Sequence, residues 1–248
     1  MIALIAAVPL ETELLRRELC PCEVRSCGHR DLLLGSLCGQ PLALLHSGVG
    51  KAGAAAATAS LLESYRPEAV IVLGCGGAYV DRDLGIGDLA LATEEVYGDE
   101  GVLTPEGFRD MEALGFPLVQ RNGLRLFNRF PVDRDLREKA ESLLPAVAAE
   151  YGRKLAAGPF VTVSTCSGTA ARGREIAERT GGICENMEGA AAAQICHLNG
   201  VPFLEVRGIS NLTEDRDLAR WDLKSAAKMA QRAVKALLVG WDAEKDLA

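Results

Sequence analysis

Short apolar runs of strand length alternate along the chain with segments whose apolar residues recur at helical spacing. The pattern predicts strands at 2–8, 69–73, 88–93, 160–164 and 203–207, and a hairpin across 31–48. It predicts helices at 9–19, 51–65, 133–151, 169–179, 188–198 and 223–239. Strands that alternate with helices are typical of an α/β fold. Because no repeat or linker-like segment interrupts them, we expect one domain over residues 1–248.

One stretch, 98–131, departs from this alternation and is rich in glycine and proline. A connection of that length inside a compact domain is typically a functional lid or loop. We therefore expect 98–131 to be irregular and to lie near a functional site.

The composition excludes several classes of protein. The hydrophobic share is 48% and the charged share 25%, both ordinary for a soluble globular protein. A net charge of −7 argues against nucleic-acid binding, which needs clustered basic residues. The N-terminal apolar run has no basic region before it and meets Glu11 and Glu13 at once, so we expect a core strand rather than a signal peptide. No apolar run approaches the ~18 residues of a membrane span. We therefore place the protein in the cytoplasm, with no membrane partner.

The cysteines and histidines do not form a metal-binding pattern. There are eight cysteines and three histidines, without a CxxC pair, and the histidines stand alone. Scattered cysteines in a reducing compartment are usually small buried residues. We expect no metal site.

Two glycine-rich motifs follow predicted strands. HSGVGKAG (46–53) fails as a phosphate-binding P-loop, because Leu45 and Ala52 replace its first glycine and its hydroxyl residue. LGCGGAY (73–79) fails as a dinucleotide-binding motif, because Tyr79 replaces the last glycine. Each motif is either a tight turn or a place where the backbone closely approaches a ligand.

Two acids stand beside predicted helix starts. Glu11 follows the first strand, and Glu188 precedes a helix that begins with glycine and alanine. The helix dipole alone favours an acid there, but such small residues imply close packing, which would bury Glu188. In LEVRGISN (204–211), alternation predicts a strand with Glu205 and Arg207 on one solvent-facing side. The alternative is that this strand carries its polar groups to a site.

The chain resembles the nucleoside phosphorylase and nucleosidase superfamily over nearly its whole length. The similarity lies in Glu11 after the first strand and in three longer motifs, SGVGKAGAAAATASLL (47–62), VLGCGGAYVDRDLGIGDLALA (72–92) and NMEGAAAAQICHLNGVPFLEVRGISN (186–211). It is strongest to the hydrolytic branch, which includes methylthioadenosine/S-adenosylhomocysteine nucleosidases. The resemblance implies a three-layer α/β/α sandwich with a mixed central sheet. It also implies a homo-oligomer, a dimer or larger, and no metal or organic cofactor.

The resemblance further implies a role for each matching residue. Glu11 would activate water, and Glu188 would hold the ribose hydroxyls of a small nucleoside. Met187 would pack on the sugar. The residues that would support the site or line its pocket are Cys75, Gly76, Gly77, Arg207 and Ser210.

Within the hydrolytic branch, three stretches resemble the futalosine hydrolases, which remove hypoxanthine from futalosine in a route to menaquinone. They are DEGVLTPEGF (99–108), FNRFP (127–131) and ISNLTEDRDLARWDL (209–223). A pocket that binds the carboxylate end of such a substrate should contain a cationic side chain. The candidates in 98–131 are Arg109, Arg121, Arg125 and Arg129, and the sequence does not say which of them, if any, binds.

Position 211 departs from the superfamily, since its usual residue is Asp and this chain has Asn211. A protonated carboxyl matches adenine, because it donates to N7 and accepts from the 6-amino group. An amide matches N7-protonated hypoxanthine, because its NH₂ donates to O6 and its carbonyl accepts from N7–H. Each mismatch would leave a buried polar group unpaired at about 1–3 kcal/mol. We therefore expect Asn211 to select 6-oxopurines, with water as the source of the N7 proton.

Other interpretations stay open. A methylthioadenosine-type nucleosidase is the nearest, and Asn211 is the feature against it. In a purine nucleoside phosphorylase, the Gly48-Val49-Gly50 turn would take phosphate, but relatives of that type follow the turn with a hydroxyl residue and this chain has Lys51. A non-catalytic purine-binding module is a third possibility, and Asn211 could instead serve only as a turn residue.

Overall fold

The apolar runs and helical repeats of the chain form an α/β fold in residues 1–242, which the computed structural model describes. The strands are β1 Ile2–Ala6, β2 Cys20–Cys27, β3 Arg30–Leu37, β4 Gln40–His46, β5 Ala69–Ala78, β6 Leu89–Tyr97, β7 Gly101–Thr104, β8 Gly107–Asp110, β9 Val119–Arg121, β10 Leu124–Leu126, β11 Arg129–Pro131, β12 Leu155–Thr162, β13 Cys184–Asn186 and β14 Phe203–Leu212. The helices are α1 Glu13–Glu18, α2 Lys51–Tyr65, α3 Met111–Leu114, α4 Arg134–Glu150, α5 Ala170–Thr180, α6 Gly189–Asn199 and α7 Leu223–Val239. Short 3-10 helices occupy Pro9–Thr12 and Leu218–Arg220.

The central sheet is mixed, as expected. Its order is β11-β6-β12-β13-β5-β1-β4-β3-β2, and β14 pairs with both β5 and β6. The pairs β1–β4, β1–β5, β5–β14, β6–β12 and β12–β13 are parallel, whereas β2–β3, β3–β4, β5–β13, β6–β11 and β6–β14 are antiparallel. Because β14 bonds to β5 on one side and β6 on the other, the strands β5, β13, β12, β6 and β14 close a ring.

Helices cover both faces of the sheet and complete the predicted three layers. Helix α2 packs against α6, and α4 packs against α7. On β14, the Glu205 side chain lies against Gly189 at the start of α6, whereas Gly208 faces the Ala226 carbonyl of α7. A side chain at Gly208 would collide with that carbonyl, so glycine is what lets α7 approach the sheet closely.

The predicted helices are confirmed to within a few residues, with one exception. Helix α2 has the predicted bounds, and α4 begins after Asp133, whose side chain accepts from the Leu136 N–H as an N-cap. The segment 9–19 is instead divided, because the 3-10 turn at Pro9–Thr12 precedes the short helix α1.

Several strands differ from the prediction: β6 ends at Tyr97 and β12 begins at Leu155, both outside the predicted ranges, and β13 was not predicted. Strand β2 was missed, because it lies at the sheet edge with all residues but Cys27 exposed and therefore has no apolar run. Strands β5 and β14 were predicted too short, since each continues past its apolar run. The two continuations pair with each other, so backbone hydrogen bonding extends them where side-chain pattern gives no signal.

The expectation of an irregular 98–131 was wrong in part. This stretch forms the hairpins β7–β8 and β9–β10, the short helix α3, and the strand β11 that pairs with β6. The paired segments are only three or four residues long, too short to show a period in the sequence.

The cysteines are all free, but they are less uniformly buried than expected. Cys184 and Cys196 are buried, whereas Cys20, Cys22 and Cys166 are exposed. In residues 1–242, no cluster of three potential metal-ligating side chains is present. Over the same residues, no helix combines the length and apolar character needed to cross a membrane.

Candidate active site

A cavity of about 260 Å³ lies where the carboxyl ends of the parallel strands β1, β5 and β14 meet. Ligands of α/β proteins usually bind at this edge of the sheet. Every residue that the sequence analysis assigned to the site lines the cavity: Glu11, Cys75, Gly76, Gly77, Met187, Glu188, Arg207, Ser210 and Asn211. The fold therefore brings two acids, one guanidinium and one amide to a common wall. The individual roles given to these residues stay predictions.

Glu11 is held in the cavity wall by backbone amides. Its Oε2 accepts from the N–H of Ala7 at 2.9 Å and of Val8 at 3.1 Å, and its Oε1 accepts from the N–H of Cys75 at 2.8 Å. A Cβ at Gly74 would collide with this carboxylate, so glycine makes the approach possible. A carboxylate can accept about four hydrogen bonds, so Glu11 keeps acceptor capacity for a water in the cavity.

Glu188 lies between the beginnings of two helices. It directly precedes α6, and its Oε1 accepts from the N–H of Gly50, the residue before α2, at 2.8 Å. Its Oε2 accepts from Arg207 Nη2 at 3.2 Å and from the Met187 N–H at 3.3 Å. The glycine-rich turn before α2 thus presents a backbone N–H to a protein carboxylate, and the two helix N-termini favour the negative charge of that carboxylate.

Arg207, in the cavity wall, connects Glu188 with the backbone that holds Glu11. Its Nη2 donates to Glu188, its Nη1 donates to the Cys75 carbonyl at 2.8 Å, and its Nε donates to Glu205 at 2.5 Å. Burial disfavours its charge, but the nearby carboxylates, Glu205 first, outweigh burial and raise the pKa of Arg207 well above its ordinary value. The Cys75 carbonyl accepts from Arg207, and the Cys75 N–H donates to Glu11. The positions of Glu11 and Glu188 therefore both depend on this guanidinium.

Of the two interpretations of LEVRGISN, the one with a solvent-facing side for Glu205 and Arg207 is wrong. Their exposed fractions are 0% and 2%. Alternation placed both residues on one face correctly, but α6 covers that face, and the two charges compensate each other there.

Ser210 and Asn211 both reach the cavity because β14 bulges between Ile209 and Asn211. The Ser210 hydroxyl donates to Asn211 Oδ1 at 2.8 Å, and Asn211 Nδ2 donates to the Leu212 carbonyl at 3.1 Å. Since a carbonyl only accepts, the Leu212 contact requires the NH₂ group of the amide on that side. The Leu212 contact therefore fixes which end of the amide is the donor. The Ser210 hydroxyl also lies 3.2 Å from the Gly76 carbonyl and gives its one proton to the nearer Asn211 Oδ1.

The Cys75 thiol is an unreactive part of the wall. It donates to the Leu223 carbonyl at 3.4 Å. Burial, together with the charge of Glu11, raises the pKa of the Cys75 thiol to about 12. The thiol therefore stays protonated at neutral pH and is a poor nucleophile.

Sequence reasoning missed part of the wall. The apolar part is completed by Ala7, Val8, Val49, Trp221 and Leu223, and the polar part by Cys166, Glu185 and Asn186. Glu185 accepts from the Ser167 N–H and hydroxyl and from Tyr79, and burial raises the pKa of this carboxyl. Its position beside the Met187-Glu188 motif was the available signal. Trp221 stands in 209–223, which resembles the futalosine hydrolases, but that resemblance assigned it no role.

The arginines of 98–131 were the candidates for a cation facing the substrate carboxylate, and none of the four lines the cavity in residues 1–242. Arg129 donates to Glu94 and to the Thr180 carbonyl, and the Arg125 guanidinium lies over the Phe127 ring. Arg121 packs against Gly200. A cation from this stretch for the substrate carboxylate stays a prediction.

Comparison with known proteins agrees with the family expected from the motifs. Residues 1–239 match the phosphorylase superfamily. Futalosine hydrolase of Thermus thermophilus is 37% identical over 194 residues, 78% of this chain and 80% of that protein. The 5'-methylthioadenosine/S-adenosylhomocysteine nucleosidase of Halalkalibacterium halodurans is 30% identical over 214 residues, 85% of each. The predicted N-glycosyl hydrolase class agrees with these relatives, which are named as a hydrolase and a nucleosidase.

Solved structures support the same assignment. The methylthioadenosine/S-adenosylhomocysteine nucleosidase of Neisseria meningitidis, in complex with methylthio-immucillin-A, superposes with a TM-score of 0.81 at 28% identity, covering 96% of this chain and 98% of that one. A futalosine hydrolase mutant of Helicobacter pylori, 22% identical, shares the fold with a TM-score of 0.79, covering 96% of this chain and 97% of that one. By motif, by fold and by sequence match over residues 1–239, the chain belongs to the phosphorylase superfamily.

Proposed function

We propose that this protein is a nucleosidase that hydrolyses the N-glycosidic bond of futalosine, releasing hypoxanthine and dehypoxanthine futalosine in a route to menaquinone. Support comes from the 37% identity to the T. thermophilus futalosine hydrolase and from the amide in the cavity wall. The observation that carries the choice of base is the fixed orientation of Asn211.

An amide held in this way complements hypoxanthine. The carbonyl Oδ1 uses one lone pair for the Ser210 hydroxyl and keeps the other, and Nδ2 uses one N–H for Leu212 and keeps the other. The remaining pair, one acceptor and one donor, matches N7–H and O6 of a 6-oxopurine protonated at N7. Adenine would set its 6-amino donor against the amide donor and lose about 1–3 kcal/mol per unpaired group.

The acids supply the chemistry of the hydrolysis. Glycosidic cleavage passes through a ribosyl cation, as in glycosidases. Glu11, oriented by three backbone N–H groups, accepts the proton of the attacking water at the anomeric carbon. Glu188 accepts from the ribose hydroxyls and places negative charge beside the cation, while Met187 packs against the sugar. Because Asn211 has no proton to give, water supplies the N7 proton.

Two rival activities can be weighed against this proposal by particular observations. A methylthioadenosine/S-adenosylhomocysteine nucleosidase is favoured by the H. halodurans relative at 30% identity, and opposed by Asn211. A phosphorylase is opposed by Glu188, because this carboxylate takes the Gly50 N–H at the start of α2 and would repel a phosphate there.

The decisive experiment offers futalosine, inosine and methylthioadenosine to the purified protein in parallel and measures the released base. We expect release of hypoxanthine from futalosine to be fastest and independent of phosphate. Faster release of adenine from methylthioadenosine would identify the rival nucleosidase. Phosphate-dependent turnover that yields ribose 1-phosphate would identify a phosphorylase, and binding without turnover a purine-binding module.

We also propose that the protein acts as a homo-oligomer, as its family resemblance implies, and that it acts in the cytoplasm. Leu103 and Phe116, in the stretch 98–131, are 80% and 65% exposed, which suits a surface covered in an assembly. Light scattering of the purified protein would give the mass, and a monomer at micromolar concentration would contradict the proposal.

A further inference from the structure

Two carboxyl groups lie side by side behind the cavity, completely buried. Glu95 on β6 and Glu205 on β14 are both 0% exposed, and an Oε2 atom of each lies 2.3 Å from the same point, the position that a Cβ on Gly189 would take. Both pack against Gly189, where any Cβ would collide with an oxygen of each. In residues 1–242, Glu95 Oε1 and Glu205 Oε2 receive no hydrogen bond from an N–H or hydroxyl donor. Two carboxylates in such contact cannot both be charged at neutral pH.

The surroundings of the two carboxyls differ in charge. Glu205 pairs with the Arg207 guanidinium at 2.5 Å. Within residues 1–242, the groups that can donate to Glu95 are neutral: Asn186 Nδ2 at 3.3 Å, and the Thr162 hydroxyl at 3.4 Å, which lies closer to Asn186 Oδ1 at 2.8 Å. The other ionisable groups acting on the pair are Glu188 beside α6, Cys184 on β13 and Tyr97 on β6, and none of these is a cation.

These surroundings favour the proton on Glu95. Burial, together with the charge of Glu205, raises the pKa of Glu95 well above its ordinary value. Burial also raises the pKa of Glu205. The charge of Arg207 lowers the pKa of both carboxyls, but only Glu205 is hydrogen-bonded to it. The carboxyl beside the cation therefore keeps its negative charge, and the carboxyl away from it takes the proton.

We propose that Glu95 and Glu205 share a single proton carried by Glu95, and that the charged Glu205 positions Arg207 for its contacts with Glu188 and the Cys75 peptide. The catalytic consequence rests on the function proposed above. Neither carboxyl lines the cavity, and Glu205 acts through Arg207, so Glu205 is a positioning residue, whereas Glu95 only holds the proton. Through Arg207, the effect of Glu205 reaches Glu188 and, by way of the Cys75 backbone, Glu11.

The proton itself can be tested without any substrate. Because the pKa of Glu95 is raised by folding, its contribution to stability is complete below the unfolded value of about 4.3 and is lost as pH rises towards the folded value. Between the unfolded and the folded pKa, the folded protein therefore holds one proton that the unfolded chain releases, and this proton alone raises the unfolding equilibrium constant about tenfold per pH unit. Glu95→Gln, whose amide mimics the protonated carboxyl, should remove that increment.

A matched control is available on the same strand. Glu94 is the adjacent acid on β6, but it pairs with Arg129 at the surface. Urea unfolding of the wild type, Glu95→Gln and Glu94→Gln at several pH values gives the comparison. We expect Glu94→Gln to keep the wild-type pH dependence of unfolding. In Glu95→Gln, we expect unfolding to release one proton fewer than in the wild type. Identical pH dependence in wild type and Glu95→Gln would overturn the shared proton.

The positioning role is tested by kinetics. Glu205→Gln keeps the shape of the side chain but removes the charge that faces Arg207, so kcat/KM for the nucleoside should fall by about ten- to hundredfold, as expected for a hydrogen bond to a charged group. Affinity for free hypoxanthine should be unchanged, because the base does not contact Glu188. Glu95→Gln should retain wild-type kinetics.

The outcomes separate this inference from the proposed function. Equal losses of turnover and of hypoxanthine affinity in Glu205→Gln would overturn the positioning role and indicate general damage. A loss of kcat/KM in Glu95→Gln as large as in Glu205→Gln would contradict the assignment of the negative charge to Glu205. Absence of nucleosidase activity in the wild type would refute the proposed function and the kinetic role together, while the pH dependence of unfolding would still decide the shared proton.

Discussion

Nη2 of Arg207 lies 3.2 Å from Oε2 of Glu188, in an ion pair whose side chains are only 3% and 6% exposed. The same guanidinium donates to Glu205 and to the Cys75 carbonyl. A planar guanidinium presents its donors in a fixed fork, whereas the ammonium group of a lysine is a compact point charge on a flexible stem. The shape of the candidate active site therefore depends on a residue that joins Glu188 and Cys75 of the cavity wall to the buried Glu205.

Asn211→Asp should move the base preference from hypoxanthine towards adenine. A protonated aspartate donates to N7 and accepts from the 6-amino group, whereas it leaves O6 of hypoxanthine without a donor. With about 1–3 kcal/mol per unpaired group, the ratio of kcat/KM for futalosine to that for methylthioadenosine should fall by at least about tenfold.

Asn199→Asp, at the exposed end of α6, is the matched control and should leave that ratio unchanged. An unaltered ratio in Asn211→Asp would mean that position 211 does not read the base.

Glu11→Gln should abolish most of the turnover while keeping affinity for the products. The amide is nearly isosteric with the carboxylate but is not a base, and its NH₂ would face one of the three backbone N–H donors. We expect kcat to fall by about 10²–10⁴-fold, the usual contribution of a general base.

Glu13→Gln provides the control, since Glu13 is a nearby acid that pairs with Arg17 at the surface. Single-turnover kinetics together with hypoxanthine titration would separate chemistry from binding. Full activity in Glu11→Gln would assign the base to another residue.

Trp221 should report on binding of the base. It lines the cavity together with Asn211, and the Arg216 guanidinium lies 4.6 Å from its ring centroid. The other tryptophan, Trp241, lies outside the cavity wall beside Lys139. We therefore expect hypoxanthine to change the fluorescence of Trp221 alone.

The signal should persist in Trp241→Phe and disappear in Trp221→Phe. In Trp221→Ala, affinity for hypoxanthine should fall by about five- to hundredfold, the range for one aromatic–base stack. A signal that survives in Trp221→Phe would contradict this assignment.

Gly189→Ala should destabilise the protein. A Cβ at this first residue of α6 would collide with both Glu95 and Glu205, and neither buried carboxyl has room to withdraw. We expect a loss of about 1–3 kcal/mol in the free energy of unfolding, typical of an overpacked core, measured by urea denaturation.

Gly168→Ala is the control. A Cβ there meets no atom within 4 Å, and its backbone is not in the left-handed region. Equal stability of the two variants would show that the carboxyl pair is free to move.

The sequence by itself determined the family, the mixed α/β class and most helices, because motif spacing and helical periodicity are local properties. It also identified nine residues that line one cavity, since a resemblance over the whole chain transfers positions without knowledge of contacts. The departure at position 211 was equally visible, because it needs only the residue type.

Which charges are buried, and what they contact, depends on the tertiary packing and could not be predicted from the sequence. Glu205 and Arg207 alternate as a solvent-facing pair would, and only the packing of α6 over that face shows that they are internal. Glu95 lies far from them along the chain, and the sequence pattern did not indicate its role. The pattern likewise did not indicate the role of Trp221 or the edge strand β2. The physical reason is that desolvation and ion pairing depend on what lies across space, and the sequence pattern reports only which face a side chain takes on its own strand.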